Sequence, residues 1–193
     1  MSSLNFIFFI IITFLGIIDI TLKLPLQTDF KKIIAYCTIF EMNIILINVF
    51  FFTFNTVVYV LLFCILHTTL SCVFFLISDF LYKRYNTRCI LNIGGVFNNC
   101  SNLSIVIILS VIFFNGIPFT LKFNLEISIF IKLYNYDIVF LILFIFSQII
   151  FIIFFTKIIY SVLFNNVEYS KVSDISSYEL FLIIFNLLIL TLI

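Results

Sequence analysis

Six apolar runs separated by short polar stretches dominate the chain: 4–22, 33–54, 56–81, 103–133, 138–164 and 178–193. Within them the apolar positions are continuous, not alternating, which excludes the period-two pattern of a membrane β-barrel. A helix needs about 20 apolar residues to cross the hydrocarbon core. The first five runs are about that long or longer, and the last is short. The pattern predicts an all-α, polytopic transmembrane bundle of about six spans, one membrane domain over residues 1–193. Only a tight polar turn at Asn55 divides the second and third spans. The fourth is too long for one plain helix, and it contains Asn115, Gly116, Ile117 and Pro118. Proline has no N–H and clashes with the preceding turn, so this span is predicted to break near Gly116 and Pro118.

Composition strengthens the membrane assignment. The chain is 64% hydrophobic and 10% charged, with mean hydropathy +1.33. A soluble domain carries roughly 25% charged residues, so a water-soluble fold is excluded. The net charge of +1 indicates no nucleic-acid surface. Five cysteines (Cys37, Cys64, Cys72, Cys89, Cys100) form no CxxC pair and no metal spacing with His67. Most lie in apolar runs, where Cys acts as a small hydrophobe. The 29 Phe residues, with Ile, Asn and Tyr, share A/T-rich codons, which suggests an organellar or otherwise AT-rich genome. Phe also simply suits lipid. The N-terminus, MSSLNF, has neither the basic residues nor the cleavage site of a secretory signal.

Charge in the connections orients the bundle. Lys23, Lys31 and Lys32 lie between spans one and two, Lys83, Arg84 and Arg88 between three and four, and Lys171 between five and six. With six spans these loops share one side, and the other side has only Lys132. Seven basic residues against one is a strong positive-inside bias. The basic loops are expected to face the matrix or cytoplasm, and both termini the opposite compartment. Residues 82–102 (YKRYNTRCILNIGGVFNNCSN) form the long polar loop, read as a surface segment with room for a short amphipathic helix.

Ionisable residues inside apolar spans are costly, and they usually face a bundle interior or a wet path. Glu41, His67, Lys122, Glu126 and Lys157 are the candidates. Asp19 and Asp79 lie near span ends, where a structural role is expected. His67 can take and give a proton near neutral pH, or it can be a neutral histidine bonded to a neighbouring helix. Lys122 and Glu126 are spaced i,i+4 and share a helical face beyond the break. They are either a proton-handling pair or a static pair closing a kink, and a kink alone does not require a Glu. Glu41, His67 and Glu126 on three helices are candidates for a proton relay. Lys157 either extends that relay or snorkels to the interface. No GxGxxG, Walker, haem or iron–sulfur pattern and no Ser/His/Asp set is present, so no cofactor, metal or redox chemistry is expected in this chain.

Three stretches carry a family resemblance: QTDFKKIIAYCTIFEMN (27–43), LHTTLSCVFFLISDFLYKRYNTRCILNIGG (66–95) and FFNGIPFTLKFNLEISIF (113–130), with a weaker one in DISSYELFLIIFNLLIL (174–190). In order and spacing they resemble the C-terminal half of the subunit 4 family of NADH dehydrogenase, antiporter-like subunits of respiratory complex I. The resemblance implies the second of two inverted five-helix repeats, with the outlet part of a proton path. By it, Glu126 matches the outlet carboxylate of the broken helix and His67 a titratable histidine. Arg88 matches an arginine of structural role, beside the structural Gly116 and Pro118. Glu41 stands where the family usually has His, and Lys122 where it usually has a neutral residue. The first repeat is missing. The chain starts with Met and reads as a complete product, so a separate polypeptide supplying the N-terminal half is expected.

The function expected is a proton-translocating membrane-arm subunit of mitochondrial NADH:ubiquinone oxidoreductase, in the inner membrane. Its expected partners are other membrane-arm subunits and lipids. Flavin and iron–sulfur clusters would lie in other subunits. The alternatives are half of subunit 2 or 5, half of a cation/proton antiporter, or a structural or assembly membrane protein.

Overall fold

The computed structural model describes the backbone of residues 3–50, 54–118, 120–165 and 173–192, with side chains for 8–50, 57–118, 120–165 and 173–187. The elements run α1 (Ser3–Lys23), α2 (Phe30–Phe50), α3 (Phe54–Tyr85), a short α4 (Val96–Asn99), α5 (Ser101–Phe114), α6 (Leu121–Tyr136), α7 (Ile138–Phe164) and α8 (Ser177–Leu192). Single 3-10 turns occupy Leu24–Leu26 and Ile90–Asn92. Among the described residues there is no strand beyond an isolated bridge between Asp29 and Cys89. Segments Phe8–Leu26, Phe30–Phe50, Val57–Tyr85 and Ile138–Phe164 are long and apolar enough to cross a membrane. The all-α polytopic bundle expected from hydropathy is the observed architecture.

Local chemistry sets the helix ends. Pro25 opens the 3-10 turn that follows α1. The Asp29 carboxylate accepts the Lys31 N–H at 3.1 Å and starts α2. Asp137 does the same for α7, accepting from Val139 at 2.9 Å. Ser176 and Glu179 exchange side-chain and backbone hydrogen bonds at the start of α8, the reciprocal capping box of the S-x-x-E pattern.

The overlong fourth span divides where Gly and Pro stand. α5 ends at Phe114. Gly116 takes the left-handed region with φ of 62°, where a Cβ is disfavoured. The Thr120 hydroxyl then accepts the Phe123 N–H at 3.4 Å to open α6. Phe114 is locked among Phe74, Phe151 and Phe155 at centroid distances of 5.2, 5.9 and 4.7 Å. Phe40 stacks on Phe151 at 4.0 Å. These rings fix the end of α5 against α2, α3 and α7, so the break is a packed feature.

Two expectations are corrected. Asn55 is not a turn: it lies in the first turn of α3, and residues 51–53 are outside the described residues. Nor is the 82–102 segment only surface. Ile90, Ile93, Val96 and Cys100 are buried, because apolar residues interleaved with the polar ones fold under the helix ends. This segment is tied to the start of α2 by Phe30 N–H to Arg88 O and Ile90 N–H to Thr28 O, both 2.9 Å. Lys171 lies outside the described residues.

The basic-side ends are joined by ion pairs. Lys23 binds Asp19 at 2.6 Å and Lys31 binds Asp79 at 2.5 Å, which are the structural roles expected for both aspartates. Arg84 binds Glu179 at 2.9 Å and donates to the carbonyls of Ser173, Asp174 and Phe80. It fastens α8 to α3.

Candidate functional site

The buried face of α2 is a helical stripe that includes Ile34, Cys37, Phe40, Glu41, Ile44 and Asn48. Glu41 falls in that stripe by periodicity, and it is 2% exposed. A buried carboxylate is sustained only with partners, and Glu41 has two. His67 on α3 places Nδ1 2.6 Å from Oε2. Lys122 on α6 donates to Oε1. His67 and Lys122 are 4% and 5% exposed.

Lys122 also resolves the electrostatics of the break. Its ammonium donates to the Phe114 carbonyl and lies 4.2 Å from the Phe114 ring centroid. The last turn of α5 presents unpaired carbonyls and a partial negative charge, so a cation there is favourable. One helical turn on, Glu126 places Oε1 3.9 Å from the same ammonium. Gly116 leaves room for Glu126: a Cβ at 116 would lie 3.0 Å from Oε2.

The result is a contact chain His67–Glu41–Lys122–Glu126 across α2, α3 and the break. One ammonium stands between two carboxylates and bonds Glu41. Chemically, an ammonium within reach of two carboxylates can serve either, and a proton on one of them would leave the cation to the other. Among the described residues, no group of three or more His, Cys, Asp or Glu could hold a metal, and the five cysteines are free.

Four of the predicted residues converge: Glu41, His67, Lys122 and Glu126. Lys122 does meet Glu126, as the i,i+4 spacing implies, but its hydrogen bonds go to Glu41 and Phe114. Lys157 is not brought to these four. It is exposed on α7, away from the buried stripe of Phe144, Phe151, Phe155 and Ile159. Pro118 is exposed just after Gly116. Arg88 is exposed over the Tyr82 ring at 5.0 Å and acts structurally through its carbonyl. Sequence reasoning missed the Lys132 ammonium on Asn48 at 3.0 Å. Asn48 lies on the Glu41 face of α2, and that shared face was the available signal. It also missed Asp174, which accepts from the N–H groups of Asn102 (2.9 Å), Leu103 (3.3 Å) and Ile175 (2.7 Å). Burial pushes the Asp174 carboxyl up, but these N–H groups and Ser101 outweigh it and hold it below its ordinary value. No local pattern announces that long-range contact.

Residues 2–152 match the family of NADH:quinone oxidoreductase/Mrp antiporter transmembrane proteins. The chain is 41% identical over 128 residues to NADH-ubiquinone oxidoreductase chain 4 of Paramecium tetraurelia, covering 66% of this chain and 27% of that protein. It is 30% identical over 139 residues to NADH-quinone oxidoreductase subunit M of Rickettsia bellii, covering 72% and 28%. In fold it resembles a chain of respiratory complex I from Thermus thermophilus with bound NADH, with a TM-score of 0.87 at 19% identity, over 98% of this chain and 40% of that one. The chain thus spans between about a quarter and two fifths of the lengths of these proteins.

Proposed function

We propose a function from one premise: this chain belongs to the NADH:quinone oxidoreductase/Mrp antiporter transmembrane family. It serves as the second half of a subunit 4 in the proton-translocating membrane arm of NADH:ubiquinone oxidoreductase. Its place is the mitochondrial inner membrane, basic loops toward the matrix and termini toward the intermembrane space. The redox groups lie in other subunits.

The observation that carries this reading is the unbroken contact chain from His67 to Glu126 at a helix break. The mechanism is electrostatic. A proton passes from His67 Nδ1 to Glu41 across their 2.6 Å contact. Neutral Glu41 no longer holds the Lys122 ammonium, which turns to Glu126, 3.9 Å away. With Glu41 neutral the ammonium serves Glu126 alone, and Glu126 gives its proton to water on the side away from the basic loops. Glu41 then passes its proton on to the ionised Glu126, Lys122 returns to the Glu41 carboxylate, and His67 takes up the next proton from the side of the basic loops, which restores the starting cluster. The break supplies irregular backbone at membrane depth, which is tolerated where it is buried or lines a water path.

The first test is physical association. Complexes separated from native membranes on a native gel and stained for NADH dehydrogenase activity should hold this chain in the active band, with the first repeat of the subunit, on the same polypeptide or another, in that band too. The second is pumping. Glu126→Gln and His67→Ala should each lower the protons moved per electron pair. Unchanged stoichiometry in both would leave only the rival reading, in which the cluster merely pairs helices.

A further inference from the structure

Lys157 is the cation that the charge chain leaves unused. It lies on α7, about 10 Å of helical rise before that helix ends at Phe164 on the side of the basic loops. It lines a cleft of about 360 Å³ between α7, the turn after α1 and the turn after α3. Pro25, Leu91 and Phe154 give the cleft apolar walls, and Gln27 and Thr28 add neutral polar groups. Three cations at this end of the bundle are paired with carboxylates: Lys23 with Asp19, Lys31 with Asp79 and Arg84 with Glu179. Lys157 has no carboxylate within ion-pair distance among the described residues.

A lysine near the end of a membrane-spanning helix reaches its ammonium toward the headgroup level. Basic pockets between helices at the positively flanked face of a membrane are suited to anionic lipid headgroups. We propose that this cleft binds the phosphate group of an anionic phospholipid from the leaflet on the basic side. The Lys157 ammonium pairs with the phosphate. Gln27 and Thr28 donate to its oxygens, and the glycerol and upper acyl chains lie on Leu91 and Phe154. The site is independent of the relay and stands whether or not the chain moves protons.

The assembled complex, purified and depleted of lipid in detergent, is the material for the test. Wild type, Lys157→Gln and Lys157→Arg are titrated with phosphatidylglycerol, phosphatidylcholine and inorganic phosphate, reading the temperature at which the complex dissociates. Retained lipid is read by native mass spectrometry. Phosphatidylglycerol should raise the dissociation temperature of wild type and of Lys157→Arg. It should bind Lys157→Gln about fivefold more weakly, as expected for one lysine at an anionic surface. Equal responses of wild type and Lys157→Gln overturn the proposal. The same response to inorganic phosphate assigns the site to a free anion and overturns the lipid. A zero-length crosslink from Lys157 to a carboxylate of a neighbouring subunit in native membranes also overturns it. The Arg variant separates loss of the site from loss of assembly, because it keeps the charge.

Discussion

Replacing Glu41 by Gln tests the centre of the charge chain without changing its volume. The carboxylate is 2% exposed and bonds both His67 and Lys122. Removing one partner of a buried ion pair typically costs about 3–5 kcal/mol, because the other charge is left uncompensated. Lys122 keeps the Phe114 carbonyl, the Phe114 ring at 4.2 Å and Glu126 at 3.9 Å. That partial compensation puts Glu41→Gln at the lower end, about 3 kcal/mol. Lys122→Met also strips the donor from the last turn of α5, so about 4 kcal/mol is expected. The double variant removes both charges together and should lose about 2–3 kcal/mol less than the two single losses added. For a chain of this size each kcal/mol moves the melting midpoint by about 2–4 °C, so Glu41→Gln alone should lower it by roughly 6–12 °C. The assay is thermal dissociation of the assembled complex in nanodiscs, followed for this chain. Additivity of the two substitutions to within about 0.5 kcal/mol would refute a direct Glu41–Lys122 bond, and with it the hand-over of Lys122 between carboxylates.

Two further outcomes follow from the break and from the basic-side contacts. Gly116→Ala places a Cβ 3.0 Å from Glu126 Oε2 at a φ of 62°. It should cost about 1–2 kcal/mol in backbone strain and displace the Glu126 carboxyl, so the protons moved per electron pair should fall even where the complex assembles. Asp174 is held below its ordinary value by the N–H groups it accepts from. Its contribution is therefore complete above the ordinary carboxyl range and is lost as pH falls through the lower native value. Asp174→Asn should destabilise at neutral pH by about 1 kcal/mol, as for loss of a helix cap. In acid the wild type should converge on the variant. A constant gap between them at all pH values would show that the carboxylate charge plays no part.

The linear order of residues determined the architecture because the bilayer leaves few choices. A span of about 20 apolar residues must satisfy its backbone within itself, so hydropathy alone marks the crossings. Gly116 and Pro118 mark the break for equally local reasons: one is free of a Cβ and the other lacks an N–H. The intramembrane charges were legible for the same reason, since Glu41, His67, Lys122 and Glu126 each stand out against an apolar run. What they do to one another was not. The i,i+4 rule pairs Lys122 with Glu126, and only the approach of α2 to the broken helix gives Glu41 the stronger claim on that ammonium. Lys157 looks equivalent to the others along the chain, yet the rotation of α7 turns it outward, into a cleft walled by two turns far away in sequence. The Asp174 carboxylate at the start of α5 and the Arg84 contacts at α8 depend likewise on residues more than seventy positions apart. Which groups carry charge, and at what depth, is a property of the chain. Which charges share a partner is decided by how the helices rotate and pack, because an ion pair acts over a few ångströms and no local pattern encodes that distance.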